Sequence, residues 1–270
     1  MSTKLGFIGA GNMGAAIIGG VVKSGFAVAD CIVASDLDEG LLQKLRDNFN
    51  VQTTKSNIEV AQAADVLFLC VKPHIYNIVI KEIKSIIKPG AIIVSIAAGK
   101  SMADILAQFD GDVKLVRTMP NTPALVNRGM TAVCPTPNMT KEDTQLILDI
   151  FASIGQAAIL PENLFDAFTG VAGSAPAYVF MFIEAMADAG VKYGLPRPLA
   201  IQFAAQTVLG SAEMVLSTGE HTAALKDAVC SPGGTTIEAV CELESQGFGG
   251  AVIAAISACV EKSVKMGKPS

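Results

Sequence analysis

Residues 5–14 read Leu5-Gly-Phe-Ile-Gly-Ala-Gly-Asn-Met-Gly14, and this stretch decides the fold. Its apolar first half predicts a buried strand, and an apolar helical pattern follows from Met13 to Val22. The turn between them is a G-x-G-x-x-G motif, which gains meaning because it lies between a strand and a helix. Gly9 permits a tight turn, Gly11 lets a pyrophosphate approach the backbone, and Gly14 lets helix and strand pack closely. Exposed N–H groups at the helix start favour an anion. The motif predicts dinucleotide binding; the alternative is a structural turn without a ligand.

The first 160 residues alternate short apolar segments with helical patterns. The predicted strands lie at residues 5–9, 31–35, 66–71, 91–95, 115–119 and 130–134, and the helical patterns between them include 39–48, 76–87 and 102–109. This rhythm predicts a mainly parallel sheet with helices on both faces. Residues 1–160 are therefore predicted to form a doubly wound α/β dinucleotide-binding domain of the Rossmann type.

The rhythm changes after Leu160. Strand patterns stop, and long apolar-periodic segments predict helices at residues 163–169, 174–193, 198–218, 236–244 and 250–265. Residues 161–270 are therefore predicted to form an all-helical substrate-binding and dimerisation domain. Its helices are apolar on more than one face, as in Phe180-Met-Phe-Ile183, and so small a domain cannot bury that surface alone. We expect the chain to form a homodimer.

The composition favours a cytoplasmic protein with neither nucleic acid nor membrane as partner. Hydrophobic residues make up 51% of the chain and the mean hydropathy is +0.47. A membrane protein would fit these values, but the longest apolar stretch carries Glu184 and Asp188, which are costly in a bilayer. A net charge of −5 without a Lys/Arg stripe argues against nucleic acid, and no secretory signal is recognisable. The six cysteines lack a C-x-x-C pair, which predicts buried thiols in a reducing compartment and no metal site.

The second strand ends in Ala34-Ser35-Asp36, and this end bears on the choice of cofactor. Asp36 stands where a Rossmann fold presents its ribose-binding residue, and an acid there accepts hydrogen bonds from a free 2′-OH and repels a 2′-phosphate. Ser35, and Asn57 in the next unit, could instead donate to a phosphate. No arginine lies beside them, so the pattern leans towards NADH and leaves NADPH open.

Two further segments follow strands whose carboxyl ends face the same crevice. They are Val71-Lys-Pro-His74 and Ile96-Ala-Ala-Gly99. Lys72 could contact the cofactor or the substrate, or it could be a solvated loop lysine. His74 is interpreted as a polar loop residue in preference to an acid catalyst.

A second candidate binding turn lies at residues 230–238, which read Cys-Ser-Pro-Gly-Gly-Thr-Thr-Ile-Glu. Thr235 and Glu238 have the spacing of a capping box, so a helix is predicted to begin at Thr236. The two glycines before it remove side chains from the approach, which leaves backbone donors and two hydroxyls suited to a small carboxylate. An ordinary capped turn is the alternative, and it explains Thr235 but not both glycines.

These stretches resemble the pyrroline-5-carboxylate reductase family over essentially the whole chain and in the right order. The matching segments lie at residues 6–14, 65–74, 117–123, 173–178 and 225–240, of which the last is specific to the family. The resemblance implies a Rossmann domain and a helical domain that interlocks with a partner's, giving a dimer or a larger ring of dimers. It also implies NADPH- or NADH-dependent reduction of the cyclic imine 1-pyrroline-5-carboxylate to L-proline, the last step of proline biosynthesis.

The resemblance further implies roles for single residues. The positions that match cofactor contacts are Gly9, Ala10, Gly11, Asn12, Met13, Ser35, Asn57, Val71, Lys72, Pro73, Ala97, Ala98 and Gly99; Gly14 and Asp36 join them from the motif and the strand end. The positions that match the surroundings of the substrate are Glu162, Thr169, Thr235 and Thr236. The family often has Asn where this chain has Ala228, so a substrate contact at that position is not carried over.

Reduction of an imine agrees with the lack of an evident general acid in the sequence. Reducing a ketone calls for a strong general acid in the cleft, and neither His74 nor His221 lies in a convincing constellation. A cyclic imine can arrive protonated, so positioning can supply most of the catalysis. The sequence predicts the Thr236 hydroxyl near the ring nitrogen, with Thr235 and the amides around Gly233 and Gly234 on the carboxylate.

Two other functions stay open at this stage. A β-hydroxyacid-type dehydrogenase shares the order of the two domains, but it needs a catalytic lysine on the helix linking them, and residues 174–190 contain none. A dinucleotide-sensing regulator would bind the cofactor without substrate-dependent oxidation.

Overall fold

The protein is described by a computed structural model that covers residues 3–267. The chain divides into two compact units: unit 1 holds the chain up to Gly173 and again from Val260, and unit 2 holds Ser174–Cys259. The predicted boundary at residue 160 falls inside unit 1, because Phe165 is buried in a cluster with Met119 and Ala132. The functional domains 1–160 and 161–270 stay a prediction.

Unit 1 is built around an eight-stranded sheet in the order β3-β2-β1-β4-β5-β6-β7-β8. The strands are β1 Leu5–Ile8, β2 Ile32–Ser35, β3 Gln52–Thr54, β4 Val66–Leu69, β5 Ile92–Ser95, β6 Lys114–Met119, β7 Gly129–Pro135 and β8 Gly155–Ile159. The α-helices are α1 Asn12–Lys23, α2 Glu39–Phe49, α3 Asn57–Ala63, α4 Tyr76–Ile83, α5 Met102–Leu106, α6 Lys141–Ala152 and α7 Phe165–Phe168. Short 3-10 turns cover Ala29–Cys31, Pro73–Ile75, Thr122–Val126 and Glu162–Leu164, and a π-helical turn covers Thr169–Gly173.

The topology confirms the predicted doubly wound sheet. Neighbouring strands are parallel except for β6 and β7. The chain leaves β3 on one side of β1 and returns as β4 on the other, so the strand order reverses there. Ligands in open α/β sheets bind outside the carboxyl ends of the strands at such a point. Four of these ends are level, because Ile8 pairs with Ser35 and Leu69, and Leu69 pairs with Ser95.

Both faces of the sheet are buried, as the βαβ rhythm requires. Phe7 points into the core on one face, where its ring stacks on Phe68 at 4.5 Å between centroids, and Ile17 of α1 belongs to the same cluster. Ile8 and Leu69 point to the opposite face, which holds residues of α3, α4 and α5. The period-two alternation of side chains therefore supplies two cores from continuously apolar strands.

Unit 2 consists of helices, as predicted. They are α8 Ala175–Lys192, α9 Arg197–Thr218, α10 Thr222–Val229, α11 Thr235–Ser245 and α12 Phe248–Met266, the last of which extends into unit 1. Among its described residues, the fully buried hydrophobic side chains are three alanines, Ala187, Ala200 and Ala204. Phe180 and Met181, by contrast, are 63% and 68% exposed. A single copy of this unit leaves most of its apolar surface uncovered.

Length and composition alone would allow some of these helices to cross a membrane. The segments are Glu162–Lys192 and Arg197–Thr218, with Thr235–Ser245 and Phe248–Met266 as a third if that bent pair forms one span. Their exposed apolar surface is the same surface that the sequence assigns to a second copy of the chain.

Five elements lie outside the predicted strand and helix ranges: β3, β8, α3, α6 and α10. Strand β3 is short and polar, β8 begins at a glycine and is largely solvent-exposed, and α10 is an eight-residue helix. None of these three contains a buried residue, so little apolar patterning marks them in the sequence. The prediction of buried thiols needs correction at Cys241, which is exposed. The other five cysteine residues are intermediate in exposure, and burial of the Cys70 thiol is strong enough to raise its pKa.

Candidate active site

The glycine-rich turn joins β1 to α1 with three different steric demands. At Gly9, φ is +105° and an added Cβ would lie 2.7 Å from the carbonyl carbon and oxygen of Cys70, so only glycine fits. At Gly14, an added Cβ would overlap the carbonyl oxygen of Gly9. At Gly11, an added Cβ would meet nothing within 4 Å. Gly9 and Gly14 are therefore required by the protein's own packing, whereas Gly11 leaves open space at the start of the helix.

The start of α1 lacks a side-chain cap, as do α4 and α7, whereas four other helices of unit 1 possess one. The side chains of Asp38, Ser56, Ser101 and Thr140 accept backbone hydrogen bonds at the starts of α2, α3, α5 and α6. Gly11 is the N-cap of α1 and offers no such acceptor. The first amides of α1 therefore remain available to an external anion, which the helix dipole also attracts.

Asp36 lies beside this turn at the end of β2. Its Oδ2 accepts a hydrogen bond from the amide of Ala10 at 2.7 Å, and its Oδ1 accepts one from the amide of Asp38 at 2.9 Å. The carboxylate therefore orients the glycine-rich turn as well as presenting a negative charge near it.

Ser35 and Asn57 form a second polar contact at the same edge. Ser35 is fully buried, and its hydroxyl donates to Asn57 Oδ1 at 2.8 Å. Asn57 in turn donates through Nδ2 to Glu82 at 2.8 Å. In this arrangement the Ser35 proton is already engaged, so Asn57 is the more accessible of the two residues.

The segments after β4 and β5 complete the row of predicted cofactor residues. Tyr76, just beyond Val71–Pro73, donates to the carbonyl of Leu69 at 2.7 Å and lies 3.1 Å from Ser95 Oγ, so one buried side chain ties the two strand ends together. Burial raises the pKa of Tyr76 and raises the pKa of Cys70 to about 12. Both groups therefore stay protonated and have structural roles.

The predicted loop position of Lys72 and His74 agrees with the structure. Both are exposed, and within residues 3–267 the Lys72 ammonium has no ion-pair or hydrogen-bond partner. His221 accepts a hydrogen bond from the amide of Ala223 at 3.2 Å and caps α10. Neither histidine is placed as a buried acid catalyst.

Glu162 and Thr169 lie in unit 1. Glu162 Oε1 accepts from the amide of Met102 and from Arg117, each at 2.7 Å. The Thr169 hydroxyl donates to the carbonyl of Phe165 at 2.8 Å. The side chains of both predicted substrate residues thus already make hydrogen bonds within the protein. Sequence reasoning assigned no role to Arg117, whose contact with Glu162 spans 45 positions and leaves no local pattern.

The turn before α11 lies in unit 2 and differs from its prediction. The helix begins at Thr235, its N-cap is Gly234, and no side chain caps it, so the predicted capping box of Thr235 with Glu238 is wrong. Gly233 has a φ of +66°, and Gly234 donates to the carbonyl of Ser231 at 3.0 Å. Because of this tight turn, the helix begins one residue before the predicted start at Thr236. Like α1, α11 therefore begins on a glycine with no side-chain cap.

The structure thus groups the predicted residues into two sets. The cofactor residues follow the level ends of β1, β2, β4 and β5 and the end of β3, all in unit 1, where Glu162 and Thr169 also lie. Gly233, Gly234, Thr235 and Thr236 form one turn in unit 2. Thr236 is half-buried and Thr235 is exposed.

Comparison with known proteins extends over both units. A family model described as pyrroline-5-carboxylate reductase dimerisation matches residues 162–266, and one described as NADP oxidoreductase, coenzyme F420-dependent, matches residues 4–99. The pyrroline-5-carboxylate reductase of Escherichia coli K12 is 51% identical over 268 residues, which is 99% of this chain and 100% of that protein.

Solved structures show the same similarity. A pyrroline-5-carboxylate reductase from Coxiella burnetii superposes with a TM-score of 0.94 at 31% identity and covers 100% of both chains. The Plasmodium falciparum pyrroline carboxylate reductase with NADP bound gives a TM-score of 0.88 at 34% identity over 99% of both chains.

Proposed function

The chain belongs to the pyrroline-5-carboxylate reductase family, and we propose that it transfers a hydride from NADPH or NADH to the C=N bond of 1-pyrroline-5-carboxylate, giving L-proline. This reaction is the last step of proline biosynthesis and makes the chain an oxidoreductase acting on a cyclic imine. The observation that carries the proposal is the uncapped start of α1 at Gly11, beside the level strand ends. That combination fits the pyrophosphate of a dinucleotide.

The residues of unit 1 fit a nicotinamide dinucleotide. The amides from Asn12 to Gly14 would hold the pyrophosphate, because no side chain of the protein caps them. Asp36 and Asn57 are assigned to the adenosine ribose, because they follow β2 and β3 on one side of β1. On the other side of β1 lie the residues assigned to the nicotinamide half: Val71, Lys72, Pro73, Ala97, Ala98 and Gly99. When bound, the reduced nicotinamide supplies the hydride.

The turn before α11 is proposed as the main substrate site. The amides that follow Gly233 and Gly234 are suited to the substrate carboxylate, assisted by the Thr235 hydroxyl. The Thr236 hydroxyl is assigned to the ring nitrogen. Within residues 3–267 neither hydroxyl makes a hydrogen bond of its own, so both are available. Glu162 and Thr169 of unit 1 keep the substrate assignment that the family resemblance implies, and their side chains are partly engaged within unit 1.

The chemistry of the imine suits these residues. A protonated C=N bond needs no strong general acid, so alignment of the imine carbon and binding of the carboxylate can supply most of the rate acceleration. The absence of a buried histidine at the cofactor edge of unit 1 is compatible with this mechanism.

The proposal is tested by incubating the purified chain with 1-pyrroline-5-carboxylate and either NADH or NADPH, and following the loss of reduced-nicotinamide absorbance. Oxidation that requires the imine and yields proline supports it. Cofactor binding without imine-dependent oxidation would indicate a dinucleotide-sensing protein. Reduction of NAD⁺ by a 3-hydroxy acid would indicate a β-hydroxyacid-type dehydrogenase.

The match of residues 162–266 to a dimerisation family accounts for the exposed helices of unit 2. We propose a cytoplasmic homodimer in which a second copy covers α8 and α9, with a larger ring of dimers as a further stage of assembly. Neither nucleic acid nor a membrane is required as a partner in this proposal.

A further inference from the structure

Arg117 and Glu162 form a partly buried ion pair in unit 1. The Arg117 side chain is 10% exposed, and its NH1 donates to Glu162 Oε1 at 2.7 Å. Its guanidinium carbon stands 4.6 Å from the centroid of the Phe165 ring, which is itself buried. The ring and the carboxylate together hold the guanidinium in one place.

The same oxygen of Glu162 also fixes the start of α5. It accepts the amide of Met102, the first residue of that helix, at 2.7 Å. The Ser101 hydroxyl and the Asp104 carboxylate form a capping box with the neighbouring amides. Side chains therefore accept hydrogen bonds from three amides at the beginning of α5, those of Ser101, Met102 and Asp104. The acceptor for Met102, Glu162, is held by an arginine 45 positions away in the sequence.

The loop that leads into α5 is one of the proposed cofactor segments. It contains Ala97, Ala98 and Gly99, and Gly99 has a φ of +71°. An added Cβ at Gly99 would lie 3.7 Å from the carbonyl oxygen of Met266, at the end of α12. The loop therefore lies close to Met266 at Gly99, and the residue that follows it, Met102, is held by the hydrogen bond to Glu162.

We propose that Arg117 is a positioning residue for the nicotinamide half of the cofactor, acting through Glu162 and the start of α5 on the loop 97–101. This inference rests on the proposed function, since it uses the assignment of that loop to the nicotinamide. β5 lies on the side of β1 opposite the adenosine half. Loss of the ion pair releases the loop, so the loop is ordered in only a fraction of the free protein molecules. The cofactor must then order the loop on binding, and its apparent dissociation constant rises by the inverse of that fraction.

The main competing role is a direct contact of Glu162 with the substrate. Its Oε1 already receives two donors, one from a backbone amide and one from a cation. A direct contact and a positioning role predict different effects on the two ligands, so they are separable by binding measurements.

The experiment compares Arg117→Met, Glu162→Ala and Glu162→Gln with the parent in the full chain. Dissociation constants are measured for NADH and for ADP-ribose, which lacks the nicotinamide, and KM is measured for 1-pyrroline-5-carboxylate. Lys114→Met is the matched control, because Lys114 lies on the same strand and forms a 2.6 Å ion pair with Asp143 at the other end. The melting temperature of each variant reports stability.

We expect Arg117→Met and Glu162→Ala to raise the dissociation constant for NADH about tenfold, as for loss of one hydrogen bond to a charged group. ADP-ribose binding should stay at the parental value in both. Glu162→Gln keeps an acceptor for Met102 and Arg117 and should retain most of the NADH affinity. Lys114→Met should change stability but neither dissociation constant.

Several results would overturn the inference. NADH and ADP-ribose affinities that fall together, or that both stay parental, exclude a role specific to the nicotinamide half. A raised KM for the imine in Glu162→Ala, with NADH affinity intact, makes Glu162 a substrate contact. A parent without imine reduction but with the expected change in the ratio of the two dissociation constants would contradict the proposed function and leave the positioning role supported.

Discussion

Asp36 combines two tasks in one carboxylate. It accepts the amide of Ala10, which holds the phosphate-binding turn, and it places a negative charge at the end of β2. Loss of the first task affects NADH and NADPH alike, whereas loss of the second removes an acceptor for the 2′-OH of NADH and relieves repulsion of the 2′-phosphate of NADPH. The ratio of the two cofactor efficiencies therefore isolates the effect at the ribose.

Replacing Asp36 with Ser should shift this ratio towards NADPH by about tenfold, which corresponds to about 1.4 kcal/mol of relieved repulsion. The measurement is kcat/KM for each reduced cofactor at saturating imine. Asp38→Ser is the control, because serine can still cap α2 while a neighbouring charge is removed. An unchanged ratio in Asp36→Ser, or a strong preference of the parent for NADPH, would contradict this interpretation.

Substitutions of Thr235 and Thr236 test the proposed substrate turn. Because neither hydroxyl caps α11, replacing either with Val should change the free energy of unfolding by less than about 0.5 kcal/mol. Thr236→Val should lower kcat about 10- to 100-fold through loss of one hydrogen bond near the ring nitrogen. Thr235→Val should instead raise KM for the imine.

Thr236→Ser is the matched control for the hydroxyl, and it should retain most of the parental turnover. Steady-state kinetics and urea denaturation separate the two effects. Parental kcat and KM in Thr236→Val would remove this hydroxyl from the mechanism and leave the amides of the turn as the substrate site.

Two helices whose amino termini are assigned to anions begin in the same way. Both α1 and α11 have a glycine as N-cap, whereas Asp, Ser or Thr caps α2, α3, α5 and α6. A side-chain cap is also missing at α4, α7, α8 and α9, but their N-cap residues are Ile75, Leu164, Ser174 and Pro196. A capped amino terminus satisfies its own amides, and an uncapped one leaves them for a ligand. What α1 and α11 share is the glycine N-cap, which places no side chain in front of their first amides.

Substitutions at Gly14 and Gly11 in the turn before α1 should have different effects, one on stability and the other on cofactor binding. Gly14→Ala should lower the free energy of unfolding by about 1–3 kcal/mol, because its Cβ would overlap the Gly9 carbonyl. Gly11→Ala should leave stability nearly unchanged, since no protein atom lies within 4 Å of the new carbon, and should weaken cofactor binding about tenfold. Urea denaturation and titration with NADH check the two halves; equal loss of stability in both variants would refute the distinction.

The elements that position the site could be predicted because their physical causes are local. The strands before Gly9 and Val71 are short continuous apolar runs, and the helix after Gly11 carries an apolar periodicity. Thr235 shows where this reasoning failed, because the capping spacing was present but Gly233 turned the chain one residue early. Arg117 was missed for another reason, since its partner is distant in sequence and only the folded sheet brings them together.

At the scale of the whole molecule, the exposed apolar helices are the dominant feature. Unit 2 buries three alanines, while Phe180, Met181 and Leu216 are 63%, 68% and 78% exposed. This distribution is opposite to that of unit 1, where two cores enclose the sheet. A partner subunit restores the missing burial, in line with the dimerisation family that these residues match.

The parent chain should therefore be at least a dimer by size-exclusion chromatography with light scattering. Introducing charge with Phe180→Glu and Met181→Glu should shift it towards monomer, because burying unpaired carboxylates in an apolar interface is costly. Ile78→Glu is the control, since Ile78 is 69% exposed in unit 1. A parent that is active and stable as a monomer at low concentration would contradict this assembly.

The end of α12 imposes an order on biosynthesis. Ser263 donates to Asp166 across 97 positions at 2.6 Å, and Met266 lies against Gly99, so unit 1 uses residues that are translated only after all of unit 2. Chains emerge from the ribosome amino terminus first, and the strands of the sheet are therefore available early. The loop 97–101, which we propose for the nicotinamide, acquires its last neighbours much later. A nascent chain that stops before residue 260 would carry the sheet beside an unfinished loop, so we expect competence for hydride transfer to arrive with the last helix.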